Sequence, residues 1–188
     1  MKNQLRIIGG TWRGRKLNFV DAQGLRPTLD RVRETLFNWL QGIIYNAHCL
    51  DLYSGSGALG FEALSRGAAK VTMVDNNRKV IKQLEQNLKL LDCKNGKILS
   101  KDANDFISTA TPLQQYQIVF LDPPFNKDLL DNICQKLEQY NLLASDAIIY
   151  IEVEKNFQLT ALPDNWFKIK EKQAGQLAYY LFQREEKF

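Results

Sequence analysis

Apolar positions along the 188-residue chain follow two periods that alternate. From Cys49 onward, short apolar runs that read as strands are followed by segments whose apolar residues recur every three or four positions, as on one face of a helix. Strands are expected at Cys49–Leu52, Lys70–Val74, Lys97–Leu99, Ile118–Leu121 and Ala147–Val153, with helices at about 58–66, 77–91, 103–108 and 129–140. Ile118 to Leu121 is apolar throughout, as in a strand buried on both faces of a parallel sheet. Trp166–Lys170 and Ala178–Phe182 read as two strands joined by a turn at Gly175, with no helix between them. That hairpin places one antiparallel strand in an otherwise parallel sheet, so the fold class is α/β with seven strands and helices on both faces.

Ahead of this unit, Arg6 to Phe19 reads as two short strands around a glycine-containing turn. Arg26-Pro27-Thr28 breaks the chain, and Thr28 or Asp30 caps a helix that carries Val32, Leu36, Trp39, Leu40 and Ile43 on its core side. The organisation expected is a β-hairpin arm over residues 1–27 followed by one main domain over 28–188.

Composition adds limits. The chain is 45% hydrophobic and 24% charged, enough for one domain with a substantial core and too short for a large second one. It has no apolar run of membrane-spanning length, and Met1 to Arg6 lacks the apolar stretch of a secretory signal, so a cytoplasmic protein with no membrane partner is expected. Cys49, Cys93 and Cys134 form no C-x-x-C and read as small core residues, and neither a disulfide framework nor a metal site is expected. Charge is uneven. Residues 1–33 hold eight basic side chains against Asp21 and Asp30, a net +6, which leaves −2 for the remainder. Such a basic arm suits a polyanion, because phosphate contacts supply most sequence-independent affinity.

The chemistry lies just after the strands, where ligands bind in open parallel sheets. Asp51 with Gly55, Gly57 and Gly60, then Asp75, Asp102 and Asp122, would bring four carboxylates to one rim. Asp75 stands about 20 residues beyond the glycine turn, the spacing at which an acid reaches a ribose diol. That spacing also fits a nicotinamide dinucleotide, but Asp51 would oppose a pyrophosphate and suits a cationic amino group or sulfonium. Asp122-Pro123-Pro124-Phe125 reads as a clamp for a planar amine: an ionised Asp only accepts hydrogen bonds, and Phe125 offers a stacking face.

Taken with Arg6-Ile-Ile-Gly-Gly, Arg26-Pro27-Thr28, Asp30 to Asn38 and Glu62 to Ala68, these motifs resemble the RsmD family of 16S ribosomal RNA guanine-N2 methyltransferases. The resemblance covers nearly the whole chain and implies a Rossmann-like class I methyltransferase fold. It implies S-adenosylmethionine as methyl donor and 16S rRNA as substrate, in an assembled or partly assembled small subunit, with the enzyme a monomer. On that resemblance, Asp51 and the Gly55 to Gly60 turn, with Gly57 and Leu59 in it, hold the methionine part of the donor, Asp75 its ribose hydroxyls, and Asp102 with the Ala103 amide its adenine edge, with Tyr53 and Asn76 also binding the donor. Asp122, Pro123 and Phe125 position the guanine, while Arg6, Arg13, Arg15, Lys16, Arg26 and Arg33 meet RNA. The same clamp would serve adenine N6 or a glutamine amide, and a non-catalytic RNA-binding assembly factor is the alternative of a different class.

Overall fold

Seven strands share one sheet because the central ones are apolar on both faces and must be covered from both sides. The computed structural model describes residues 3–20, 30–111, 115–123 and 127–186. A separate hairpin pairs β1 (Asn3–Arg6) with β2 (Lys16–Phe19), and α1 (Asp30–Trp39) follows. The main unit then runs β3 (His48–Asp51), α2 (Ala58–Ser65), β4 (Lys70–Asp75), α3 (Arg78–Leu90), β5 (Gly96–Ser100), α4 (Ala103–Thr109) and β6 (Tyr116–Leu121). It ends with α5 (Lys127–Gln139), β7 (Leu143–Glu154), β8 (Trp166–Ala174) and β9 (Leu177–Arg184). The sheet order is β5-β4-β3-β6-β7-β9-β8, and β9 alone runs against its neighbours. After β5 the chain crosses to the other side of β3, so the topological switch point lies between β3 and β6.

Alternate residues of each central strand enter different cores. Cys49, Val71, Met73, Ile118, Phe120 and Tyr150 pack on the side covered by α1, α2, α3 and the hairpin. Leu50, Val74, Val119, Leu121, Ile149 and Ile151 pack on the side covered by α4 and α5. The expected elements form, with longer ends where polar residues had hidden them, except that α1 stops at Trp39 and Ile43, expected on its core side, is 45% exposed beyond it. β8 continues to Ala174 because Lys170, Glu171, Lys172 and Gln173 face solvent on an edge strand, where apolar periodicity is not required. β7 begins at Leu143, which pairs with Tyr116 before a register shift. Cys49 and Cys134 are buried and Cys93 is half-buried, all three as free thiols. Among the described residues, no helix is long and apolar enough to cross a membrane.

The hairpin is seated on the main unit by its backbone. The Ile8 amide donates to Glu62 (2.9 Å), the Thr11 amide to the Ser65 carbonyl (2.8 Å), and the Trp12 amide to the Ser65 hydroxyl (2.9 Å). Leu5, Ile7 and Leu17 are buried in the core, and Trp12 packs against it. Glu62, fully buried on α2, also accepts from Arg66 Nε (2.7 Å).

Arg33, expected to meet RNA, does not reach the surface. Its side chain is 1% exposed: it pairs with Asp30, donates to the Arg6 carbonyl (2.8 Å) and lies 3.8 Å from Glu62, an attraction of charge beyond hydrogen-bond distance. The reason is register on the helix. Arg33 stands three, four and seven residues before Leu36, Phe37 and Leu40, on the apolar stripe.

Removing one member of such a buried pair leaves an uncompensated charge, which costs about 3–5 kcal/mol. Glu62→Ala is therefore expected to lose about that much stability in urea unfolding, and a loss below about 1 kcal/mol would show that the Glu62 network does not hold the hairpin, α1 and α2 together.

Candidate active site

The four carboxylates singled out along the chain belong to four adjacent parallel strands, at their carboxyl ends. Asp51 ends β3 and Asp75 ends β4; Asp102 follows β5 and Asp122 immediately follows β6. Asp51 and Asp122 thus flank the switch point. Two residues beyond Cys49, Met73 and Phe120, the residues at 51, 75 and 122 sit where the α2 side of the sheet meets the rim.

Asp51 is 2% exposed, and its Oδ2 accepts the Gly60 amide at 3.0 Å. Burial pushes its carboxyl up to about 7; the Gly60 bond opposes that shift, and the nearby Asp75 charge adds to it. A carboxylate placed there without a cation is costly. The turn before α2 brings the helix N-terminus onto it. Gly57 has φ +79°, and a Cβ there would lie 2.5 Å from the Phe61 ring. A Cβ on Gly60 would meet Met73 Sδ at 2.7 Å and Asp51 Oδ2 at 3.0 Å. Both glycines are therefore demanded by close packing of the turn upon itself, beyond any need to admit a ligand.

Asp75 is half-buried and ties the turn to β4. Its Oδ2 accepts the Gly55 amide (3.0 Å) and its Oδ1 the Asn77 amide (2.8 Å). Burial raises its carboxyl, and these backbone bonds hold the rise back. Asp102 is exposed and caps α4 by accepting from the Asn104 amide (2.8 Å), while Ala103 is buried beside it. Asn76 and Asp102 share the wall of an open cavity of about 380 Å³, together with Arg78, Ser100 and Lys101. Tyr53 is half-buried on the other side of the sheet with its hydroxyl enclosed and, among the described residues, unpartnered. Leu59 is buried in α2.

On the β6 side, Asp122 is half-buried and Pro123 buried. Phe125 lies outside the described residues, as does Arg26. Of the remaining basic residues, Arg6, Arg13, Arg15 and Lys16 are all exposed on the hairpin, with Arg6 3.8 Å from Asp30.

Residues 5–183 match the family model described as Conserved hypothetical protein 95. The chain is 51% identical to the ribosomal RNA small subunit methyltransferase D of Escherichia coli over 97% of its own length and 91% of that protein's. It is 45% identical to the protein of the same name from Haemophilus influenzae, over 97% and 95% of the two chains. The chain belongs to the ribosomal RNA small subunit methyltransferase D family. The solved structure of the Escherichia coli protein yhhF superposes with a TM-score of 0.89 at 50% identity, covering 97% of this chain and 99% of that one.

One pair beside the site was missed in the sequence. Leu121 pairs with Ile151, so Asp122, just past the end of β6, and Glu152, near the end of β7, stand one step beyond. Glu152 is 4% exposed and accepts the Tyr150 hydroxyl at 2.7 Å. Burial pushes Glu152 up, and burial pushes the Tyr150 hydroxyl well up, with the Glu152 and Asp122 charges adding to it. The available signal was an acid inside the apolar run Ile148 to Val153.

The sign of the Asp51 shift has a consequence for stability. Between pH 4 and 7 the folded chain keeps a proton on Asp51 that the unfolded chain has released, so this group makes stability fall as pH rises through that window. Asp51→Asn, which can still accept the Gly60 amide, is expected to be more stable than the unsubstituted protein at pH 8 by on the order of 2–4 kcal/mol. The gap should close towards pH 4. Thermal unfolding of both proteins across that range checks it, and equal stability at pH 8 would show that Asp51 bears no charging cost.

Proposed function

We propose that this protein transfers a methyl group from S-adenosylmethionine to the exocyclic N2 amine of a guanine in 16S ribosomal RNA of the small subunit. The observation that carries the reading is the buried Asp51 carboxylate at the switch point, with Asp122 on the adjacent strand two residues beyond its register partner Phe120. A site with acids on both sides of the switch point fits a cationic donor and an amine acceptor, and it disfavours a pyrophosphate. The buried Asp51 carboxyl is a polar group whose charged form such a cationic donor would satisfy. The names of the family's members point to ribosomal RNA as the acceptor.

S-adenosylmethionine supplies a methyl group already activated on a sulfonium. Asp51 would pair with the cationic amino group, Asp75 and Asn76 would take the ribose hydroxyls, and Asp102 with the Ala103 amide would take the adenine edge. Asp122 would accept a hydrogen bond from the guanine amine, orient its lone pair and stabilise the positive charge that grows on nitrogen. Pro123 stiffens the turn that aims Asp122, because its ring fixes φ. Phe125 would replace stacking lost when the base leaves its neighbours. Holding the reacting atoms in line can itself supply up to about 7–11 kcal/mol of the barrier reduction in favourable cases.

Asp122→Ala is expected to abolish transfer while donor affinity by calorimetry stays within about twofold; near-normal turnover would remove Asp122 from the reaction. Donor affinity should also weaken about tenfold from pH 8 to pH 6, since Asp51 must release its proton to pair with the amino group. A flat profile, or one retained in Asp51→Asn, would place the amino group elsewhere. The acceptor is tested by incubating the protein with labelled donor and small subunits lacking the modification, then identifying the methylated nucleoside by mass spectrometry. N2-methylguanosine is expected; N6-methyladenosine, or label in protein, would overturn the assignment.

A further inference from the structure

The outward side of α3 carries Arg78, Lys79, Lys82 and Lys89 against the single acid Glu85, and all five are exposed. Arg78, Lys82 and Lys89 recur at one- to two-turn intervals over about 16 Å of helix axis, with Lys79 beside them. The neighbouring hairpin adds four exposed cations and no acid between residues 3 and 20. The two elements together carry +7 on a chain whose net charge is +4, leaving −3 for everything else.

They are also fixed to one another. Arg15 Nη2 donates to the Leu90 carbonyl at the end of α3 (3.0 Å), and Asn87 Nδ2 donates from α3 to the Asn18 carbonyl (2.8 Å). Seated in this way on α2 and α3, the hairpin cannot swing independently, so its charges keep a set spacing from those of α3. Leu90 is 54% exposed at the junction, so the two charged tracts meet without a wall between them.

We propose that α3 is part of the RNA-binding surface, and that Lys79, Lys82 and Lys89 hold a second stretch of RNA backbone beside the one met by the hairpin. This rests on the reading of RNA as substrate. The occupant is a polyanion because the surface offers cations with one acid and little apolar area, which is how phosphate backbones are held. Two tracts locked in a fixed relation suit a folded RNA that presents two backbone segments at once.

The test is the salt dependence of binding to an unmodified, protein-free 16S rRNA transcript, since the slope of affinity against salt reports the number of phosphates neutralised. A Lys79→Gln, Lys82→Gln, Lys89→Gln variant is compared with an Arg13→Gln, Arg15→Gln, Lys16→Gln variant. A control carries Lys170→Gln and Lys172→Gln on β8, at the opposite edge of the sheet. The α3 variant is expected to lower the slope by on the order of 2 units, with unchanged circular dichroism and donor affinity, while the β8 control leaves it unaltered. A reduced slope in the hairpin variant with an unaltered one in the α3 variant would overturn the proposal and leave the RNA reading standing. No change in either would sink both. An equal drop in the β8 control would reduce the effect to net charge. Weakened binding to intact small subunits with normal binding to the bare transcript would assign the α3 surface to a ribosomal protein.

Discussion

The bond from the Gly60 amide to the buried Asp51 carboxylate fixes how the rest of the site is built. A carboxylate at 2% exposure can be tolerated only if donors surround it, and the N-terminal turn of α2 is the nearest source. Bringing that helix end so close leaves no room for a side chain at Gly60 and forces the backbone at Gly57 into a left-handed conformation. Asp75 then locks the same turn from β4 by accepting the Gly55 amide. One buried charge thus determines two glycines, the entry angle of a helix and the place of a second acid.

A second buried charge does comparable work in the middle of α2. Glu62 gathers the Ile8 amide, Arg66 and, at longer range, Arg33, so that the hairpin, α1 and α2 meet around one carboxylate. Without those bonds, the four-residue strands β1 and β2 would form a hairpin too small to be stable alone. The cations on the hairpin are thereby held at fixed positions relative to the glycine turn before α2.

The central strands and their terminal acids were legible because a parallel sheet buried on both faces writes itself as continuous apolar runs, and ligand-facing residues must follow those runs. Asp51, Asp75, Asp102 and Asp122 all fell at the rim for that reason. Arg33 was misread because charge was weighed without its helical phase: a position three and four residues before Leu36 and Phe37 belongs to the core whatever its side chain. Glu152 was missed for the converse reason. An apolar run announces burial, and the single acid within it gains meaning only once β7 is known to lie beside β6 with Asp122 next in register. Partner identity is a long-range property that local pattern does not carry. The extent of β8 was hidden too, since an edge strand facing water has no apolar alternation to display.

Segregation of charge follows from these placements and bears on how an RNA substrate would approach. The rim holds Asp51, Asp75, Asp102, Asp122 and Glu152, an arrangement that repels phosphate, whereas the hairpin and α3 attract it. A backbone would therefore be held on the basic side while the acidic rim admits only an uncharged group that can donate hydrogen bonds. A base extruded from its strand meets that description, and its amine is the part that carboxylates attract. The same acids that would stabilise charge developing on nitrogen also exclude the phosphates on either side of it. Positioning and selectivity then arise from one distribution of charge, with no need for a separate gate.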